Sequence, residues 1–104
     1  MKRILIIEDD EPLCWLLEKI LKEKYEPIIM KNGLEALSWL SDGNLPNLII
    51  SDINMPTLDG IELLENVRSS GILRDIPVIM LSAYDDSEKR KKCLALGASN
   101  YLIK

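Results

Sequence analysis

Glu8, Asp9 and Asp10 stand in a row directly after an aliphatic run, and Asp52, Ser82 and Lys104 each lie at or just past the end of another. Carboxylates brought within a few ångströms of one another repel, and a hard divalent cation bound through oxygen is the usual remedy. Mg2+ meets that need. A hydroxyl and an ammonium beside the acids would suit an anion arriving at the metal. Together they suit a phosphoryl group carried on a carboxylate, since aspartate acts as a nucleophile once its charge is managed. The chain has no histidine. That removes imidazole bases, Ser-His-Asp and Cys-His pairs, and His-ligated zinc.

The elements that must position these groups can be read from the apolar pattern. Short runs rich in Ile, Leu and Val at Ile4–Ile7, Pro27–Met30, Leu48–Ile50, Val78–Leu81 and Tyr101–Ile103 predict five strands. Their lack of alternation is that of a parallel sheet covered on both faces. Between them, Leu13, Leu16, Leu17, Ile20 and Leu21 form one helical stripe, with Asp10 as its cap and Pro12 in its first turn. A second helix opens at Asn32-Gly33 with Leu34, Leu37 and Leu40 inward. A third follows Asp59-Gly60 with Ile61, Leu64 and Val67, and a fourth starts at a Ser87 cap, presents Cys93, Leu94 and Leu96, and stops at Gly97. Alternating strands and helices predict an α/β, doubly wound parallel sheet. Ligands of such sheets bind beyond the carboxyl ends of the strands, which is where the acids, Ser82 and Lys104 fall.

Composition narrows the function further. With 104 residues, 47% hydrophobic and 29% charged, the chain is expected to be one domain over 1–104. Thirteen Lys plus Arg against 17 Asp plus Glu give a net charge of -4, without the basic footprint of nucleic-acid binding. Aliphatic runs of at most four residues are far short of a membrane span or signal peptide, so a cytoplasmic protein is expected. Cys14 and Cys93, lacking CxxC spacing, read as reduced, packed thiols, and Trp15 and Trp39 as packing residues. The Lys89-Arg90-Lys91-Lys92 run reads as a solvated helix face.

Taken in order, Ile4–Glu11, Leu48–Pro56 with Asp59-Gly60, Val78–Ala83, and Gly97-Ala98 with Tyr101–Lys104 form one constellation. Intervals of 43, 30 and 22 residues separate Asp9, Asp52, Ser82 and Lys104. In these segments the whole chain resembles the receiver domain of two-component response regulators, including the single-domain chemotaxis regulators. The resemblance implies a flavodoxin-like strand order 2-1-3-4-5. It implies that Asp52 is the phosphoacceptor and that Asp9 and Asp52 ligate Mg2+ with the backbone carbonyl of Asn54, Glu8 reaching the ion through water. Ser82 and Lys104 would hold the phosphoryl oxygens, and Tyr101 would be the aromatic switch turning inward as Ser82 moves.

The donor imidazole would come from a sensor histidine kinase or phosphotransfer protein, and the product would be a switch with a changed helix 4 and strand 5 surface. It would not be a turnover enzyme. Two competitors stay in view: a phosphorylation-independent receiver-like interaction module, and a metal-dependent phosphatase, which would want an acid where Asn54 stands. The bulky Tyr84 is expected to shield an acyl phosphate on Asp52. Where the family continues through a proline and a final helix, this chain stops at Lys104. The expectation is a receiver truncated after its fifth strand, with an apolar strip open beside the first helix and a tendency to self-associate.

Overall fold

The structure is a computed structural model and describes residues 1–55 and 57–104; Pro56, part of the Leu48–Pro56 motif, lies outside the described residues. The aliphatic runs form the strands β1 (Arg3–Ile7), β2 (Glu26–Met30), β3 (Leu48–Asp52), β4 (Val78–Ser82) and β5 (Asn100–Ile103). All are parallel, in the order β2-β1-β3-β4-β5. The expected architecture and order are therefore found. Register then decides the site: Ile7 pairs with Ser51, Asp52 with Leu81, and Ser82 with Ile103. Glu8, Asp52, Ser82 and Lys104 accordingly emerge at one edge of the sheet.

The connecting helices are α1 (Glu11–Leu21), α2 (Gly33–Ser41), α3 (Gly60–Ser69) and α4 (Ser87–Ala95). Asn32 caps α2 by accepting from the Glu35 N–H, and Asp59 and Glu62 form a reciprocal capping box on α3. Two expected caps differ. Asp10 occupies the cap position of α1, but its side chain makes no cap bond. At α4 the cap is Asp86, accepting from the Glu88 and Lys89 N–H groups, and Ser87 is the first helical residue. A carboxylate reaching two N–H groups satisfies more of the helix start than a hydroxyl one residue later could. Gly97 has φ 100°, the left-handed conformation expected after a helix end.

Helices α2, α3 and α4 share one face of the sheet, where Leu5, Ile7, Ile49, Val78 and Met80 meet Ala36, Leu40, Leu63, Leu64, Val67 and Cys93 in a single core. Ile4 and Ile6 point to the other face by strand alternation. That face carries α1, whose stripe is only partly covered: Leu16 and Ile20 are 46% and 62% exposed, and Leu102 of β5 is exposed too. Three packing assignments change. Leu34 and Leu94 are exposed, and Trp15, 61% exposed, lies under Lys19 in solvent, whereas Trp39 does pack on the core. Among the described residues no helix is long and apolar enough to cross a membrane.

Candidate functional site

Glu8 is the first residue past β1 and is buried. As the chain turns toward α1, the free N–H groups of Asp9 and Asp10 fold back onto its Oε2, each at 3.1 Å. The other oxygen, Oε1, has no hydrogen-bond donor, though Lys104 Nζ lies beside it at 2.7 Å as an ion pair outside hydrogen-bond geometry. The same Nζ stands 3.2 Å from Asp52 Oδ2. Lys104 is fixed from its backbone, where its N–H extends the β4–β5 ladder to Ser82 O at 2.8 Å.

One ammonium therefore faces two buried carboxylates. Burial pushes the Glu8 carboxyl above its ordinary value, against the pull of Lys104 and the Asp10 N–H. Burial alone would lower the Lys104 amine; its ion pairs with Glu8 and Asp52 outweigh that and hold it above the ordinary lysine value. Asp9 is exposed, yet one carboxylate oxygen from each of Glu8, Asp9 and Asp52 can lie within 4.8 Å of the others. Three hard oxygen donors, two of them on buried carboxylates, fit an oxygen-ligated divalent cation.

Asp52 closes β3, and the helix behind it must come close. A Cβ on Gly60 would collide with the Asp52 carbonyl and Ile53 Cα, so glycine at the start of α3 is what lets that helix abut the strand end. Thr57, in the loop between them, has φ 72°, a left-handed conformation uncommon for a β-branched residue. Asn54 is exposed in that loop, its Oδ1 3.5 Å from Lys89 Nζ.

On the other side, Ser82 Oγ donates to Tyr84 O at 2.8 Å and accepts from Tyr84 N at 3.1 Å. Its hydroxyl is thus turned into the β4–α4 loop. Tyr101 is buried, and its hydroxyl donates to the same Tyr84 carbonyl at 3.5 Å. Tyr84 contributes its backbone here, and the residue is 72% exposed. A 420 Å3 cavity lined by Leu37, Leu40, Leu45, Ile72 and Leu73 lies at the opposite, amino edge of the sheet and holds none of these groups.

The family description of the response regulator receiver domain matches residues 4–104. The chain belongs to this family. The receiver is 38% identical over 105 residues to the transcriptional regulatory protein PcoR of Escherichia coli, a match covering 100% of this chain and 45% of that protein. Its fold is similar to the Mn2+-bound form of response regulator Rcp1, with TM-score 0.93 and 31% identity over all of this chain and 81% of that one. It is similar also to the phosphorylated cyanobacterial phytochrome response regulator RcpA, with TM-score 0.94 and 27% identity over 100% and 81% of the two chains. The receiver spans less than half the length of PcoR and 14% of longer plant relatives.

Of the residues singled out in the sequence, the structure brings Glu8, Asp9, Asp52 and Lys104 together, with Ser82 and Tyr101 joined to each other through Tyr84. Asn54 lies at the rim. The sequence reading missed Lys89 at Asn54, the strained Thr57 and the Tyr84 carbonyl. A four-residue basic run does not say which of its members faces inward, and a main-chain acceptor leaves no trace in residue type.

Proposed function

We propose that the receiver takes a phosphoryl group onto Asp52 from the phosphohistidine of a sensor histidine kinase or phosphotransfer protein. It serves as a switch and does not turn over a substrate. The observation that carries this reading is a buried carboxylate at a strand end, flanked by two further acids, with an ammonium 3.2 Å away. The Mn2+ in Rcp1 and the phosphorylation of RcpA, both similar in fold, support it.

The chemistry is largely positional. An Asp52 oxygen attacks phosphorus, the donor's P–N bond breaks, and the imidazole leaves with the partner, so the chain needs no histidine of its own. Glu8, Asp9, Asp52 and the Asn54 backbone carbonyl would hold Mg2+, which supplies charge neutralisation between the carboxylates and the incoming oxygens. Lys104 pairs with a phosphoryl oxygen, drawing away from Glu8. Ser82 leaves the Tyr84 carbonyl to donate to another, which frees the acceptor shared with Tyr101 and alters the α4 and β5 surface. Such a partner places the receiver in the cytoplasm.

Intact mass after incubation with acetyl phosphate and Mg2+ tests this reading. A single phosphoryl adduct is expected on the wild type, with none on Asp52→Asn or in EDTA. A folded wild type that gains no adduct, or an adduct that persists in Asp52→Asn, overturns it.

A further inference from the structure

The basic run of α4 does not lie wholly in solvent. Lys89 is half-buried and faces Asn54, while Arg90 turns the other way, its guanidinium carbon 5.2 Å from the centroid of the Tyr101 ring. Tyr101 is only 3% exposed although β5 is an edge strand, and Arg90 lies against it. The ring's own polar anchor is weak. Its hydroxyl sits 3.5 Å from Tyr84 O, an acceptor already engaged by Ser82 at 2.8 Å. A guanidinium over the negative face of an aromatic ring adds an attraction independent of that hydroxyl.

We propose that Arg90 is a positioning residue, whose charge over the ring face holds Tyr101 inward and so ties the ring to α4. The next residue back, Lys89, points at Asn54, two positions after Asp52. A phosphoryl group on Asp52 adds about -1.5 to -2 of charge two residues from the Lys89 contact, and Lys89 shares a helix turn with the ring contact. Helix α4 thereby bears on both the phosphoacceptor loop and the switch ring. The placement of the ring stands on geometry; its consequence for signalling rests on the function proposed above.

The test uses the resting protein without phosphodonor. Accessibility of the Tyr101 ring to a soluble paramagnetic agent is read by NMR of 13C-labelled tyrosine, with Tyr101→Phe assigning the signal among three tyrosines. Arg90→Leu should raise ring accessibility about two- to five-fold, the loss expected of an exposed cation–π pair. Arg90→Lys should recover at least half of the wild-type protection, since it restores a cation. Wild-type protection in Arg90→Leu, or no recovery in Arg90→Lys, overturns the proposal. Arg90 is exposed, and unchanged circular dichroism melting confirms the fold of each variant. The acetyl phosphate assay run on the same samples separates the two readings: failure of Asp52 to take a phosphoryl group would remove the switch but leave the ring result standing.

Discussion

Helix α3 places Leu63, Leu64 and Val67 in the core at 0% exposure, whereas α4, on the same face one strand further on, buries only Cys93. A fully buried aliphatic side chain stabilises by about 1.5–3 kcal/mol, so α3 is fastened by apolar contacts that α4 lacks. The body of α4 is Lys, Arg and Glu. It is held instead by polar ties: the Asp86 cap, Lys89 at Asn54, Arg90 on Tyr101, and, past its last turn, Arg68 of α3 reaching Gly97 O at 3.0 and 2.7 Å. The difference teaches which helix has freedom to move. An element held by few buried contacts opens at a fraction of the global cost, while its neighbour moves only with the core. Glycine fits both ends of this scheme, Gly60 seating α3 against Asp52 and Gly97 passing under the Arg68 side chain.

The largest expected effect lies in α3. Leu64→Ala should cost roughly 2–5 kcal/mol in urea unfolding, through lost transfer energy and an unfilled cavity. A loss under about 1 kcal/mol would mean that α3 is no better fastened than an ordinary surface helix. Next comes the α4 cap. Asp86→Ala should cost about 1 kcal/mol. In a Cys14→Ala background the same change should speed thiol labelling of Cys93 well below the urea concentrations that unfold the protein. Burial pushes the Cys93 thiol above its ordinary pKa, so labelling waits on opening of α4. Labelling that tracks global unfolding would erase the contrast between the helices. The smallest effect is expected at Lys91, exposed on α4. Lys91→Ala should change stability by no more than about 0.5 kcal/mol, as for a surface site without a partner. A larger change would show a further tie on α4.

Much of the fold was legible because its signals are local. Aliphatic runs of strand length, the stripe of α1, the Asn32 and Asp59 caps and the left-handed Gly97 each depend on neighbours close in the chain. The Asp10 side chain makes no cap bond, and one of the two N–H groups a cap residue would reach is missing because Pro12 stands second in α1. The Ser87 cap failed because Asp86, one residue earlier, reaches two N–H groups. Leu34 lies on a pattern that reads as inward and Trp15 reads as a packing residue, but burial depends on whether another element covers that spot, which the pattern does not encode.

The candidate site divides in the same way. Its membership was set by sequence: acids at the end of β1, Asp52 at the end of β3, Ser82 at the end of β4 and Lys104 after β5 must share an edge once four strands run parallel in that order. Its internal state was set only by tertiary structure. That Lys104 spans Glu8 and Asp52, that Ser82 is turned to Tyr84, and that Arg90 covers Tyr101 are choices among rotamers of long or rotatable side chains. Those choices follow from which charges and acceptors packing has placed nearby. Residue type states what a side chain can bond; only the assembled neighbours decide what it does bond.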